Sequence, residues 1–451
     1  MFQPVQIPFW LLLVILLFAA VTFASHFLFP SVRWFFRRRM ERAVARLNRR
    51  LVRPIEPFKL ARRHDMIQRL LYDGEVWAAI SEHAKEQGVP ENVAFERARR
   101  YAREIVPSFS ATLYYGFAIR LARFVSRRLY RVRLGALARE KLAQVDREAT
   151  VVFVMNHRSN MDYVLVTYLA AEQSALSYAV GEWARVWPLS RLIRAMGAYF
   201  IRRKSRGALY RRVLARYVAL ATDGGVTQAV FPEGGLSLDG ALADPKLGIL
   251  SYIINGYHPE NRDVVFVPVA LNYDRVFEDR LLVAAGQRGD RRFGARISVV
   301  LKYMCRITWR WATGRYHRFG YAAVSFGAPV SLRGFAGAAP VDVAALASTL
   351  MERIGAVVPV LPVPLAAQVF LQAKAPLTRA GYGAAFEALV AALPEAHIHV
   401  PREDMAYARD YGLQNLVARG FVDETDGHYR ISEKAAPMLR FYGNSIAHLL
   451  R

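Results

Sequence analysis

The sequence holds a single cysteine, Cys305, among its 451 residues. An internal disulfide is therefore excluded, which fits a reducing compartment. Acidic residues are also scarce, since 37 Asp and Glu stand against 62 Lys and Arg, and the formal net charge is +25. A balance this basic suits nucleic acid, anionic lipid or phosphorylated ligands. The sequence lacks zinc-finger cysteines, an RNA-recognition signature and basic-zipper heptads, so nothing in it favours nucleic acid.

Charge is missing altogether from residues 1–32, which contain no Lys, Arg, Asp or Glu. Residues 7–29 are almost wholly apolar, and at about 1.5 Å per residue a helix of this length crosses the hydrocarbon core of a bilayer. The segment lacks the basic start of a signal peptide. We therefore expect a retained transmembrane helix, with a cleaved signal or a buried helix as alternatives. Eight arginines follow between Arg33 and Arg50, so the positive-inside rule places the rest of the chain in the cytoplasm.

The remaining chain divides by its hydrophobic patterns into three parts, and its length allows two or three domains. Residues 33–145 have helical spacing, and residues 108–134 form an amphipathic piece that lies on a membrane surface or packs against the next domain. Residues 146–340 alternate strand-like and helix-like runs, the α/β pattern. Residues 341–451 are mostly helical, and three prolines within 354–371 argue against a second membrane span. The predicted domains are an anchor at 1–32, a helical region at 33–145, an α/β domain at 146–340 and a helical domain at 341–451.

Individual elements of the α/β domain follow from the same patterns. We predict strands at 151–155, 176–180, 227–231, 264–270, 298–302 and 322–327, and helices at 162–172, 189–196, 209–222 and 245–255.

The first motif joins a strand to a helix through a polar turn that contains His157, with Asp162 five residues later. If Asp162 lies in the first helical turn, it accepts the proton of one imidazole nitrogen and leaves the other nitrogen basic. This is the base and its orienting carboxylate from a catalytic triad, without a nucleophile. A polar turn that caps a helix is the structural alternative. A metal site would need further ligands, and none lies nearby in sequence.

Three further motifs lie downstream, each at the end of an apolar run. In the second, Arg202 and Arg203 offer guanidinium forks that suit phosphate, although two adjacent arginines also suit a solvated face. In the third, Glu233 precedes glycines that permit a close backbone approach, or simply a strand–turn. Asp239 stands where G-x-S-x-G would require glycine, which excludes a serine-hydrolase elbow. The fourth motif, residues 265–274, predicts a buried strand, and its proline leaves an edge or bulged strand as the alternative.

Taken in this order, the four motifs resemble those of the glycerolipid acyltransferases, whose first motif is N/H-x-x-x-x-D. Residues 157–163 are similar to the H-R-S-H-M-D-Y of the membrane-bound bacterial glycerol-3-phosphate acyltransferases and their dihydroxyacetone-phosphate relatives. Residues 200–203 match their F-I-R-R and residues 233–235 their E-G-G, while residues 441–449 are similar to their Y-x-N-S-I-x-H-L tail. The resemblance extends over roughly residues 95–451.

The resemblance implies a mixed β-sheet flanked by helices, the glycerolipid acyltransferase fold. It implies transfer of a fatty acyl group from acyl-CoA or acyl carrier protein to the sn-1 hydroxyl of glycerol 3-phosphate, the first step of phospholipid synthesis. His157 would be the general base and Asp162 its orienting group. No metal or redox cofactor is implied. The expected location is the inner membrane, with one membrane pass and a cytoplasmic catalytic domain. The implied substrate-binding residues are Arg158, Arg202, Arg203, Glu233, Gly234, Gly235 and Ser237.

One departure concerns the acceptor. The related pattern is E-G-G-R-S-R-x-G, but Leu236 and Leu238 occupy the two arginine positions here. Those arginines are thought to hold the glycerol phosphate, so Arg202, Arg203, Lys204 or Arg206 would have to compensate. The alternatives are acylation of 1-acylglycerol 3-phosphate or another lysophospholipid, acylation of dihydroxyacetone phosphate, and, outside the class, a non-catalytic lipid-binding scaffold.

Overall fold

The computed structural model describes residues 8–135, 138–169, 174–181, 189–202, 207–258, 260–289, 319–337, 340–393, 398–399 and 404–450. Two compact units are present, residues 1–54 and residues 55–451. The strand predicted at 298–302 and the arginine at position 203 fall outside the described residues. The predicted four-part domain division stays a prediction.

The first unit contains one helix, Phe9–Asn48, of 40 residues. Its large apolar side chains from Phe9 to Phe18 are exposed. Further along, the guanidinium of Arg38 lies 4.5 Å from the centre of the Trp34 ring. Within the part of the chain that the structure describes, no helix combines the length and apolar character needed to cross a membrane. The transmembrane helix predicted for residues 1–32 is therefore not confirmed.

The second unit is built on a mixed eight-stranded sheet in the order β1-β7-β6-β2-β5-β3-β4, with β8 also paired to β6. The strands are β1 (Arg131–Leu134), β2 (Thr150–Met155), β3 (Ser177–Gly181), β4 (Tyr199–Ile201), β5 (Gln228–Val230), β6 (Val264–Tyr273), β7 (Tyr321–Phe326) and β8 (Val330–Ser331). A second sheet has three strands, β9 (Leu377–Thr378), β10 (Val422–Thr425) and β11 (His428–Ile431). The predicted α/β class, a mixed sheet with flanking helices, is confirmed.

Helices cover the sheet and form most of the chain on either side of it. Before β2 they are Pro57–Leu60, Arg63–Leu71, Gly74–Gln87, Glu91–Ile105, Ala111–Leu113, Ile119–Leu129 and Ala138–Ala143, with a π-helical turn at Tyr114–Ala118. Between β2 and β7 they are Met161–Leu169, Leu189–Ala195, Ala208–Asp223, Gly248–Asn255 and Asp279–Gln287. After β8 they are Leu332–Ala336, Val343–Gly355, Pro362–Gln372, Arg379–Ala391, Met405–Ala418 and Ala436–Gly443, with 3₁₀ turns at Glu433–Ala435 and Ala447–Leu450.

The central strands β2 and β6 run parallel, and every residue in both is buried. Strands covered on both faces read as continuous apolar runs, which is why the sequence reveals them. The fourth motif was predicted to be a buried strand, with an edge or bulged strand as the alternative because it contains Pro268. The buried strand is confirmed. β6 is central, and Pro268 lies where the strand paired with β6 changes from β8, whose pairing reaches Phe266, to β7, whose pairing starts at Val269. A residue without an N–H group is tolerated in such a gap.

One predicted element is wrong. Residues 108–134 do not continue as a helix, because Arg131–Leu134 forms the edge strand β1 and pairs in parallel with β7. Arginine alternates with Val132 and Leu134, which is the two-residue period of a strand. The many arginines of the preceding helix made this short alternation hard to recognise in the sequence. The helix Ile119–Leu129 packs with its buried face against the domain. Its opposite side leaves Leu121 and Phe124 exposed by 42% and 56%.

Candidate active site

The loop between β2 and the helix Met161–Leu169 carries the first motif. Asn156 fixes the start of this loop to β6, since its Nδ2 donates to the Leu271 carbonyl at 3.0 Å and its Oδ1 accepts from the Leu271 amide at 2.8 Å. The loop therefore lies at the carboxyl end of β2, where sites in α/β sheets tend to lie.

His157 and Asp162 form a buried pair, as the sequence predicted. The Nδ1 atom of His157 lies 2.9 Å from Oδ2 of Asp162. The same carboxylate oxygen accepts backbone N–H bonds from Arg158 at 2.7 Å and Ser159 at 3.0 Å. An oxygen that accepts from two amides is an acceptor towards the imidazole as well, so Nδ1 carries the proton. The nitrogen left basic is Nε2, which makes no hydrogen bond in the described part of the chain.

The pair is held in place from both sides. Tyr273, at the end of β6, donates its hydroxyl proton to Oδ1 of Asp162 at 2.6 Å. The imidazole stacks on Phe231 with ring centres 4.0 Å apart and meets the edge of Tyr163 at 5.5 Å. His157 is only 2% exposed and Asp162 is fully buried. Such packing fixes the ring orientation that a general base needs.

Glu233 and Ser237 of the third motif brace the histidine loop through its backbone. Oε1 of Glu233 accepts the His157 amide at 3.0 Å, and the His157 carbonyl accepts the Ser237 amide at 2.9 Å. Burial raises the pKa of Glu233 to about 7, an effect that these hydrogen bonds and Arg158 oppose. The Ser237 hydroxyl accepts the Gly240 amide at 3.0 Å and lies 2.9 Å from the Ala241 carbonyl. The two predicted substrate-binding side chains thus make contacts within the protein.

The glycines of this motif meet a cation that the sequence reading missed. Gly234 has φ of +69°, which glycine adopts at no steric cost. A Cβ atom at this position would lie 2.6 Å from Cδ and 3.2 Å from Nζ of Lys246. The Lys246 side chain therefore lies over the loop that holds Leu236 and Leu238. The only sequence signal for it was that it is the first basic residue after the motif.

Arg158 is the buried cation closest in sequence to the pair. One of its amino groups, Nη1, donates to the Gly240 carbonyl, and the guanidinium carbon lies 4.9 Å from the Phe441 ring centre. Its Nε and Nη2 atoms are buried and make no hydrogen bond to any residue that the structure describes. Burial lowers the pKa of Arg158, while Glu233 acts in the opposite direction. Unpaired buried N–H groups cost about 1–3 kcal/mol each, so a ligand anion that reached them would bind with advantage.

The second motif is placed differently from expectation. Arg202 forms a two-point contact with Glu104, from Nε to Oε1 at 2.8 Å and from Nη2 to Oε2 at 2.7 Å. The guanidinium also lies 5.3 Å from the Tyr101 ring centre. This geometry ties β4 to the helix Glu91–Ile105, and it occupies the fork that the sequence assigned to phosphate. Arg203 lies outside the described residues.

Glu278, in the connection that follows β6, supports the histidine loop, and the sequence gave no signal for it. Its Oε2 accepts the Ser159 hydroxyl at 2.8 Å and its Oε1 the Asn160 amide at 2.6 Å. Burial raises the pKa of Glu278 to about 7, against these two hydrogen bonds. No group of three or more metal-ligating side chains occurs among the described residues.

The C-terminal tail closes over the third motif. Asn444 donates to the Asp239 carbonyl at 3.0 Å. A Cβ atom at Gly240, whose φ is +89°, would lie 1.8 Å from the Phe441 carbonyl oxygen, so only glycine fits there. Ser445 lies 3.2 Å from the Asn272 amide nitrogen at the end of β6. The tail therefore belongs to the structure around the site rather than to a separate lobe.

Two family models match this chain. One, described as acyltransferase, covers residues 137–272, and the other, described as the C-terminal region of glycerol-3-phosphate acyltransferase, covers residues 312–451. The first contains the His157–Asp162 pair and the third motif, and the second contains the tail. The chain is thus related to the glycerolipid acyltransferases.

Within that class, its curated relatives are named glycerol-3-phosphate acyltransferase. The protein of Aeromonas hydrophila subsp. hydrophila is 28% identical over 425 residues, which are 87% of this chain and 50% of that protein. The protein of Xanthomonas campestris pv. campestris is 32% identical over 248 residues, 53% of this chain and 27% of that protein. This chain therefore spans about half or less of the length of these relatives. The resemblance to the bacterial glycerol-3-phosphate acyltransferases is confirmed.

Among solved structures, the 1-acyl-sn-glycerophosphate (LPA) acyltransferase of Thermotoga maritima matches with a TM-score of 0.33 and 19% identity over 53% of this chain and 75% of that chain. A likeness at this score supports no conclusion.

Proposed function

We propose that this chain is an O-acyltransferase that transfers a fatty acyl group from an acyl thioester to the sn-1 hydroxyl of glycerol 3-phosphate. The observation that carries the proposal is the buried His157–Asp162 pair, in which Nδ1–H is held by a carboxylate and Nε2 is left basic. The names of the relatives supply the acceptor and the reaction class. No metal or redox cofactor is needed for this chemistry, and the co-substrate is acyl-CoA or acyl carrier protein.

The reaction proceeds by direct attack. Nε2 of His157 takes the proton from the acceptor hydroxyl as its oxygen bonds to the thioester carbonyl carbon. Asp162 stabilises the imidazolium that results. The tetrahedral intermediate then collapses, the carbon–sulfur bond breaks, and the thiolate takes the proton back from Nε2. The products are an ester and a free thiol, and no acyl-enzyme is formed.

The oxyanion of the intermediate needs a donor near His157. The Gly234 amide is already bonded to the Phe231 carbonyl at 3.0 Å. The Gly235 amide makes no hydrogen bond within the described part of the chain, so we assign it this role. Removal of one such donor typically lowers kcat by about 10²- to 10³-fold.

The acceptor phosphate needs cations other than the two arginines that are leucines here. Arg202 is held by Glu104 and is a weaker candidate than the sequence suggested. Lys246 lies over Gly234, and two guanidinium nitrogens of Arg158 have no hydrogen-bond partner among the described residues. We assign the phosphate to Lys246 and Arg158, with Arg203 as a third candidate on the strength of the motif alone.

We also propose that residues before Arg33 attach the chain to the inner membrane, with the catalytic unit on the cytoplasmic side. The exposed apolar side chains from Phe9 to Phe18 and the arginines that follow support this assignment. The full chain should then require detergent for extraction, and deletion of residues 1–32 should leave a protein that high salt releases from anionic vesicles. Recovery of the full chain in the soluble fraction would contradict the anchor.

The function is tested by acyl transfer to labelled glycerol 3-phosphate. His157→Ala should lower kcat by at least about 10²-fold, the scale of a lost general base. His258→Ala, which changes an exposed histidine of the same unit, is the matched control. If lysophosphatidate or dihydroxyacetone phosphate is acylated in preference to glycerol 3-phosphate, the assigned acceptor is wrong, whereas the assignment of His157 as the general base stands. A folded chain that binds acyl thioester but acylates none of these acceptors would be a scaffold.

A further inference from the structure

A cavity of about 750 Å³ opens beside the edge strand β1, away from the His157 loop. Its walls come from the end of the helix Ile119–Leu129, from β1, from the start of β7 and from the end of the helix Met161–Leu169. Its polar lining consists of Arg127, Arg131, Arg133, Tyr130, Tyr168 and Tyr321. No carboxylate lines it among the residues that the structure describes.

Two of these arginines, Arg131 and Arg133, lie against the same tyrosine ring. Arg131 and Arg133 are two apart on a strand and so project from the same face. Their guanidinium carbons lie 5.5 and 5.7 Å from the centre of the Tyr321 ring. Arg131 is fixed further by the hydroxyls of Tyr321 and Tyr407, at 3.1 and 3.3 Å. Asp274 interacts electrostatically with Arg131, but no described carboxylate lines the cavity beside the three arginines. Like charges held close together repel one another, and a bound polyanion would lower that repulsion.

One ring contact and one hydrogen bond connect the wall of the cavity to the His157–Asp162 pair. The ring of Tyr130, in its wall, is 5.3 Å from the ring of Tyr273, whose hydroxyl bonds to Asp162. The wall of the cavity is therefore in contact with the residues that orient His157. The volume is in the range of about 300–1,000 Å³ that holds small molecules and nucleotides.

We propose that this cavity binds the phosphate groups of a nucleotide-bearing acyl thioester, the adenosine 3′,5′-bisphosphate end of acyl-CoA. Guanidinium forks suit phosphate oxygens, and the tyrosine rings offer faces for the base. This inference rests on the proposed transfer reaction and names its donor. It is separate from the acceptor phosphate, which we assign beside Gly234.

Direct binding tests the cavity without catalysis. Adenosine 3′,5′-bisphosphate is titrated calorimetrically into the full chain in detergent micelles. Arg133→Gln and Arg127→Gln should each weaken binding by about tenfold or more, the scale of one lost charge-assisted contact. Arg430→Gln, which changes an exposed arginine on the strand His428–Ile431, should leave binding unchanged. Thermal unfolding of each variant checks that the fold is kept.

Kinetics separates this inference from the proposed function. Arg133→Gln should raise KM for acyl-CoA about tenfold and leave KM for acyl-pantetheine, which lacks the nucleotide, unchanged. An unchanged KM and unchanged bisphosphate binding would overturn the donor assignment while transfer activity survives. If glycerophosphoglycerol, a lipid headgroup, or inorganic phosphate binds as tightly as the bisphosphate and is equally sensitive to Arg133→Gln, the nucleotide assignment is wrong. If the chain shows no transfer activity but binds the bisphosphate in a manner that depends on Arg133, the proposed transfer reaction is refuted and the proposed binding site stands.

Discussion

Replacement of Asp162 by asparagine separates the charge of this residue from its geometry. Oδ2 of Asp162 accepts from the amides of Arg158 and Ser159 and from Nδ1–H of His157. Among the described residues, Oδ1 accepts only from Tyr273. An asparagine NH₂ at the Oδ2 position would face two backbone donors and leave them unpaired, at about 1–3 kcal/mol each. The amide must therefore turn its oxygen to those donors and its nitrogen to the Tyr273 hydroxyl, which can accept. His157 then keeps its Nδ1–H tautomer and loses only the negative charge beside it.

The size of the effect follows from Coulomb's law. For an imidazolium and a carboxylate whose atoms are 2.9 Å apart, an effective dielectric constant of about 20 gives roughly 5–6 kcal/mol. The asparagine carbonyl dipole keeps part of this attraction. We expect the barrier to rise by about 3–4 kcal/mol, which lowers kcat by about 10²- to 10³-fold.

The measurement is kcat with labelled glycerol 3-phosphate at saturating donor, together with the ¹⁵N resonances of His157. Asp244→Asn, at an exposed carboxylate after the third motif, is the control. If Asp162→Asn stays within about threefold of the parent, a barrier change below about 0.7 kcal/mol, the carboxylate charge plays no part and the mechanism is wrong. If the spectra show Nε2–H in the variant, the asparagine is oriented the other way and the geometric argument fails.

Three further outcomes are expected. Lys246→Met should raise KM for the acceptor about tenfold while KM for the donor is unchanged; the opposite pattern would move Lys246 to the donor. Arg202→Gln should cost about 1–2 kcal/mol in the free energy of unfolding, because the buried Glu104 carboxylate loses its two-point contact with a guanidinium, and it should change acceptor KM little; a large KM change at constant stability would restore Arg202 as a phosphate ligand. Burial raises the pKa of Glu278 from 4.5 to about 7, so its stabilising effect is complete below pH 4.5 and is lost as pH rises to 7. The free energy of unfolding of Glu278→Gln should therefore rise by about 2–3 kcal/mol relative to that of the parent as the pH goes from 4.5 to 7, as measured by denaturant unfolding. If the difference in free energy between variant and parent does not change with pH, the raised pKa is contradicted.

The placement of the tail suggests why the C-terminal region accompanies the acyltransferase domain. Asn444 and the Phe441 backbone contact the loop at Asp239 and Gly240, and that loop in turn holds Arg158 and the Ser237 side chain. The third motif is thus clamped between the histidine loop and the tail. A loop held on both sides keeps its glycine amides where the reaction needs them.

The sequence alone was sufficient to predict the central sheet strands and the contact between His157 and Asp162. Strands β2 and β6 are buried on both faces, so their apolar runs are unbroken and visible. His157 and Asp162 are five residues apart in one strand–turn–helix, and the contacts that join them to Arg158 and Ser159 are local. Local spacing is what a sequence records most directly.

Only the tertiary structure decided which partner each remaining polar side chain has. Arg202 meets Glu104, which is 98 residues earlier, and Tyr273 meets Asp162 across 111 residues. Neither contact can be read from neighbouring residues in the sequence, because both depend on which strands lie next to each other in the folded sheet. The edge position of β1 likewise depends on its pairing with β7, nearly two hundred residues later. A charged side chain in a sequence is equally suited to solvent, a ligand or a buried partner, and the choice is made by what the folded chain brings within about 3 Å of it.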